Sequence, residues 1–250
     1  APALPEIGRR GDGDRDEQIG QLDPLLNVEM TIYDEQQGDG FFRIDISPNP
    51  RSDQLRAVPK DILFLIDCST SISAPKLEQF KAGVLEAVEY LTPRDRFNVV
   101  SFRDRPKNCF DHFVEVTAEN LAGAKRYVSG LQRGGMTDVF AGLAPYVGGP
   151  GNRNGRPLNI FLMSDGKTTV KGSPTNEELI QEVVKLNRAS VSIYSFSAGP
   201  DANLFLLDFL AYHNRGMSLH EEELRDFERQ LVSFISSHSD VIVADLRYQV

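Results

Sequence analysis

The sequence predicts an α/β protein: a doubly wound, mostly parallel six-stranded sheet with one antiparallel edge strand and helices on both faces, plus a small β appendage from the N- and C-terminal segments. Three observations predict it. From Asp61 onward, short continuous apolar runs alternate with stretches whose apolar residues recur every three or four positions, and such runs suit strands that a parallel sheet buries on both faces. One alternating run follows its predecessor after too short a loop for a crossover helix, so it pairs antiparallel. Separate strand-like segments lie before residue 58 and after residue 240.

Residues 1–22 are rich in Gly, Asp and Arg without apolar periodicity and read as a flexible tail; its Arg10-Gly11-Asp12 reads as solvated charge. Residues 23–57 form a β-hairpin and linker, with strands Leu26–Tyr33 and Phe41–Ile46 around Gly38-Asp39-Gly40, then a stretch rich in proline and charge. The main domain spans 58–240. Its core strands are "ILFLI", "FNVVSF", "NIFLM" and "VSIYSF", and "CFDHFVEV" is the antiparallel edge. Leu77, Phe80, Val84, Val88 and Leu91 mark one core-facing helix; Leu224, Phe227, Leu231 and Phe234 mark another, drawn over Glu221–Ser237. Residues 241–250 are a strand returning to the small β-layer beside the hairpin.

Composition excludes several classes of function. A chain of 250 residues with 40% hydrophobic content can bury one large core and a small appendage. A formal charge of −9 argues against a general nucleic-acid binder, which needs basic excess to displace counterions. No apolar run approaches the roughly 20 residues of a membrane-spanning helix. The first residues lack an apolar signal core and an initiator Met, which suggests a processed or excised module of a larger protein or complex. Cys68 and Cys109 belong to no CxxC pair; Cys68 is expected to face the core as a small apolar group. The four histidines have no zinc-ligand spacing and are expected to be structural or exposed.

The chemistry-bearing residues gather at the carboxyl ends of the strands, where open α/β sheets bind ligands. "FLIDCSTSIS" ends the first core strand in Asp67-x-Ser69-x-Ser71, "GGMTD" places Thr137 at the start of a helix, and "FLMSDG" places Asp165 after "NIFLM". Each motif is weak alone. Read separately, Ser69 and Ser71 would cap the helix after Pro75, Thr137 would cap another, and Asp165-Gly166 would be a turn.

Together, in this order and spacing, they resemble the metal-ion-dependent adhesion site of the von Willebrand factor type A domain family, a Rossmann-like fold; the likeness covers about residues 58–240. Within that family "DILFLIDCSTSI", "KLEQFKAGVLEAVEYLTPRDRFNVVSF" and "GGMTD" are most similar to the type A domain of inter-alpha-trypsin inhibitor heavy chains and their bacterial relatives. The family's usual Ser-Gly-Ser-Met is here Ser69-Thr70-Ser71-Ile72, and the replaced positions are not the ligating ones. The resemblance implies a Mg2+ ion, or Mn2+ or Ca2+, ligated by the hydroxyls of Ser69 and Ser71. By the same resemblance Thr137 would join directly when the site is engaged, and Asp67 and Asp165 would hold ordered waters. It implies a protein partner that offers an Asp or Glu carboxylate to the remaining position. Neutral hydroxyls leave the cation poorly quenched, which favours such an acid.

The "RDRPK" loop supplies Arg103, Arg105 and Lys107, and Lys167 and Lys171 follow Asp165; on an acidic chain they form a basic rim expected to steer an acidic partner surface. Enzymatic readings are disfavoured. A phosphatase using Asp67 as nucleophile wants a second acid two residues on, where Ser69 stands, and neither phosphate-binding glycine loops nor GxSxG occurs. The expectation is a non-enzymatic, cation-dependent adhesion or assembly module, with an extracytoplasmic or cell-surface setting favoured. The alternative is a structural scaffold whose metal site is vestigial or only stabilising.

Overall fold

The computed structural model describes residues 26–33, 41–49, 58–149, 156–188, 191–223 and 227–238. The chain divides into two units, Ala1–Ala57 and Val58–Val250. In the first, β1 (Leu26–Tyr33) pairs antiparallel with β2 (Phe41–Pro48). The register places Val28, Met30 and Ile32 opposite Ile46, Ile44 and Phe42, so the period-two pattern collects one apolar face and leaves Glu29, Asp45, Thr31 and Arg43 on the other. The tail at 1–22 and the returning strand at 241–250 lie outside the described residues.

The second unit is a mixed sheet: β3 (Asp61–Asp67), β4 (Arg96–Phe102), β7 (Leu158–Met163), β8 (Ser192–Ala198) and β9 (Ser218–Glu221) pair in parallel in the order β4-β3-β7-β8-β9. Around it lie α1 (Ala74–Ala87), α2 (Ala118–Ser129), α3 (Val139–Val147), α4 (Asn176–Leu186), α5 (Leu204–His213) and α6 (Phe227–Ser237). Strand β3 shows why a continuous apolar run is needed. Ile62, Phe64 and Ile66 enter a core shared with α1, α2 and α6, while Leu63 and Leu65 enter a second core with α3, α4 and α5.

Two expectations need correction. The antiparallel edge is not one strand over "CFDHFVEV" but two short ones on either side of most of it, β5 (Pro106–Asn108) and β6 (Val114–Glu115), both paired with β4. Buried Asn98 explains the break. Its Nδ2 donates to the carbonyls of Phe110 and His112, and its Oδ1 accepts from the amides of Val99 and Phe110. One side chain thus satisfies backbone groups that a regular ladder would have paired. The final helix does not reach back to Glu221 either: Ser218–Glu221 is strand β9, and the described helix begins at Phe227. "SLHE" is short and has a single apolar residue, Leu219, so it carries no strand signal until its parallel pairing with β8 is known.

Gly216, just before β9, is required by close approach. A Cβ there would lie 1.9 Å from the Ile193 carbonyl oxygen, a backbone atom that cannot swing away. Gly216→Ala is therefore expected to cost at least about 1–3 kcal/mol, read as a lowered midpoint in thermal unfolding followed by circular dichroism. A wild-type midpoint would contradict the packing of this turn against β8.

Candidate metal centre

Three loops at the carboxyl edge of the sheet are fastened to one another through backbone groups. The loop after β3 receives the 132–137 loop through Thr70 N to Gly135 O (3.1 Å), Thr70 Oγ1 to the same carbonyl (2.9 Å) and Gly134 N to Cys68 O (2.8 Å). The loop after β7 is joined by a reciprocal pair: Thr137 N donates to Thr169 Oγ1 and Thr169 N donates to Thr137 O, both at 2.9 Å. Gly135 and Gly166 have φ of +79° and +70°, the left-handed region that glycine enters at little cost. At Gly166 a Cβ would also press on Leu207 and the Asn203 carbonyl.

This framework brings Asp67, Ser69, Ser71, Thr137 and Asp165 together. Ser69 Oγ lies 2.9 Å from Ser71 Oγ, which lies 3.4 Å from Thr137 Oγ1 and 3.3 Å from Asp165 Oδ1. Asp67 stands behind them, accepting from Ser69 N at 2.9 Å and from Ser164 Oγ at 2.7 Å. Asp67, Ser69, Thr137 and Asp165 are buried, and Ser71 is half-buried. The capping roles that would otherwise explain these hydroxyls belong to other residues: Ser73 caps α1 and Asp138 caps α3.

Among the described residues no group of three or more His, Cys, Asp or Glu side chains could hold a metal ion, so any centre here must draw on hydroxyls. The donor set fits a hard cation. Neighbouring oxygens on an octahedron lie about 2.8–3.0 Å apart when metal–oxygen bonds are about 2.0–2.1 Å, and about 3.4 Å apart for bonds near 2.4 Å; the 2.9 and 3.4 Å spacings from Ser71 Oγ to the hydroxyls of Ser69 and Thr137 fall in that span. The charge balance also fits. Burial pushes the Asp67 carboxyl up to about 6, against hydrogen bonds from Ser69 and Ser164 that pull it down, and among the described residues no ion pair reaches Asp67 or Asp165. One lysine, Lys76, acts on both Asp67 and Asp165, so the two acids keep an excess of negative charge that a divalent cation would balance.

Lys76 was not anticipated. It sits in the first turn of α1 and is 7% exposed. Burial lowers its pKa, while Asp165, Asp201 and Asp67 pull it upward. A cation in the first turn opposes the helix dipole, and that is the signal in the sequence that could have found it. Ser164, Thr169 and Asn203, which accepts no role from spacing alone, were missed as well: Asn203 N donates to the Asp165 carbonyl at 2.7 Å.

The basic rim divides. Arg103, Arg105 and Lys107 line a pocket on the β4–β5 side, whereas Lys167 and Lys171 are exposed on the loop after β7. Arg103 is a brace: its guanidinium donates to the Gln132 carbonyl at 2.6 Å and the Cys68 carbonyl at 3.4 Å. The histidines stand apart from the site. His220 bonds Ser197 and His238 packs on Phe234. Cys68 faces the core, where burial pushes its thiol up to about 12; both cysteines are free.

Residues 60–219 match the family model of the von Willebrand factor type A domain, and the chain belongs to that family. Among known proteins it is similar to human inter-alpha-trypsin inhibitor heavy chain H6, at 31% identity over 232 residues, 88% of this chain and 17% of the relative. It is also similar to human heavy chain H3, at 29% over 228 residues, 85% of this chain and 25% of the relative. The chain thus spans a quarter or less of the length of these two relatives. Of solved structures, a von Willebrand factor type A protein from Catenulispora acidiphila superposes with a TM-score of 0.69 at 16% identity, over 85% of this chain and 49% of that one. Proximal thread matrix protein 1 from the mussel byssus, with a zinc-occupied metal-ion-dependent adhesion site, gives 0.53 at 21%, over 72% and 49%.

Proposed function

We propose that the domain is a non-enzymatic protein-binding module, used in adhesion or assembly, in which Ser69, Ser71 and Thr137 ligate a divalent cation and Asp67 and Asp165 hold its waters. The observation that carries this reading is the convergence of three hydroxyls at spacings that neighbouring ligands of one cation can have, with the Asp165 carboxylate 3.3 Å from Ser71 Oγ, all from three separate loops. Magnesium is the expected ion, with manganese or calcium as substitutes; the zinc named for the byssus protein supports a divalent ion at such a site. When bound, the cation supplies a point of positive charge that an Asp or Glu of a partner can ligate.

The chain's own residues do the rest. Ser164 and the Ser69 amide hold Asp67 in place, and the pair with Thr169 fixes the Thr137 backbone, so the donors are organised before a ligand arrives. The burial of four of the five residues keeps bulk solvent away and strengthens charge interactions. Ser71 is the one of the five that is not fully buried, and Met136, next to Thr137 in the chain, is exposed. Lys167 and Lys171, exposed on the loop after β7, favour the approach of an acidic surface.

Two measurements test the proposal. Magnesium at a hundred times its Kd should stabilise the domain by about 2.7 kcal/mol, a rise of about 5–10 °C in Tm for a domain of this size. A scaffold with a merely stabilising site would show the same rise, so the deciding experiment is affinity capture of partners with magnesium and with chelator. Loss of the bound protein in chelator is expected. Equal capture in both would favour the scaffold reading and remove the metal-bridged one.

A further inference from the structure

We propose that the pocket beside the candidate metal centre is an anion subsite, taking a second acidic side chain from the same partner segment that offers a carboxylate to the centre. The inference rests on the protein-binding reading above and gives that partner a chemistry: a segment with two or more acids.

The pocket has a volume of about 420 Å³ and is lined by Arg103, Arg105, Lys107 and Arg126, with Tyr127 and a single acid, Asp104. That volume lies within the range of ligand-binding clefts, about 300–1,000 Å³. Four cations against one carboxylate leave a local positive excess on a chain of net charge −9. Among the described residues none of the four cations is in an ion pair, although acids outnumber bases. Arg126 completes the group from the last turn of α2; it lies 21 residues beyond Arg105 and belongs to no motif.

The walls are fixed in advance. Tyr127 Oη accepts from the amide of Ser101 at 3.2 Å, lies 2.8 Å from Ser101 Oγ, and donates to the Lys107 carbonyl at 2.6 Å. The ring, the end of β4 and strand β5 are therefore tied into one surface, which lowers the ordering cost of binding. Arg103 joins pocket to centre. Besides lining the pocket, it bonds the carbonyls of Cys68 and Gln132, and its Cδ is 3.3 Å from where a Cβ on Gly135 would sit. A ligand chain leaving the centre over Gly135 thus meets Arg103 and the pocket next. A half-open depression of this size takes a single carboxylate side chain, whereas a sulfated glycan calls for an extended track of cations.

The test uses fluorescein-labelled hexaglutamate, followed by anisotropy at low ionic strength in chelator and in magnesium. It compares the whole chain with Arg105→Gln/Arg126→Gln and with Lys185→Gln/Arg188→Gln, a double variant of equal charge change at the far end of α4. In chelator the pocket variant should bind about tenfold more weakly or worse, as expected for losing charge-assisted hydrogen bonds, and the control should stay within about twofold of wild type. Magnesium should tighten wild-type binding, and Thr137→Ala should lose only that increment. Equal weakening in both double variants overturns the subsite, as does tighter, Arg126-dependent binding of a heparin-derived oligosaccharide. Binding that needs Arg126 but ignores magnesium keeps the pocket and overturns the metal reading. Binding that needs magnesium but not Arg105 and Arg126 does the reverse.

Discussion

Thr137→Ala is expected to abolish magnesium-dependent partner binding while leaving the fold intact. The substitution removes one hydroxyl from the ring around Ser71, but the bonds that hold residue 137 use its backbone amide and carbonyl, both toward Thr169, and Ala keeps them. Asp67→Asn should act from behind the ring. Orienting groups of this kind are worth about 10–100-fold in metal affinity, and the variant should lose that much of its magnesium response. Its metal-free stability should hold or rise, because the amide occupies the buried position without a charge whose burial is unfavourable. Isothermal titration with magnesium, thermal unfolding and partner capture read the three quantities separately. Wild-type capture in magnesium by Thr137→Ala, or an unchanged magnesium affinity in Asp67→Asn, would reject coordination at this site.

The second large effect lies at the opposite edge of the sheet. Lys60 and Asp95 are both 2% exposed and joined at 3.1 Å, and Asp95 also accepts from the amides of Lys60 and Thr92 and from the Thr92 hydroxyl. Beside them Arg96 grips Asp61 through two bonds, at 2.9 and 2.8 Å. Removing one member of a buried pair leaves the other charge unsolvated, at a cost of about 3–5 kcal/mol. Asp95→Ala should therefore lose about that much in urea unfolding. Lys60→Met/Asp95→Asn, which removes both charges, should lose less than the single variant. A single variant within about 1 kcal/mol of wild type would contradict burial of the pair.

Much of this was legible in residue order. The buried strands could be read from β-branched and aromatic runs, and the convergence of the five candidate residues from three short motifs whose carboxyl-edge positions follow from parallel topology. What escaped was set by register and by side chains that replace backbone partners. Asn98 looks like any polar residue in "FNVVSF" until its four bonds are seen to divide the edge strand. Lys60-Asp61 and Asp95-Arg96 carry complementary charges in sequence, but only the pairing of Asp61 with Arg96 across β3 and β4 makes them partners. Arg103 was legible as a charge and not as a brace, because its acceptors are carbonyls of distant loops. Arg126 lies within a helix whose charged face suggests only contact with solvent.

The position of β3 carries a further consequence, for biogenesis. It is the first strand of the domain in sequence and the third in the sheet, hydrogen-bonded on one side to β4 and on the other to β7. Ser164, which bonds Asp67 at its end, lies 97 residues further along the chain. At ribosomal rates of about 5–20 residues per second, that interval leaves "ILFLI" with an unpaired flank for several seconds to tens of seconds. Nascent chains of this domain should therefore be slow to acquire protease resistance and engage a holding chaperone until β7 has emerged.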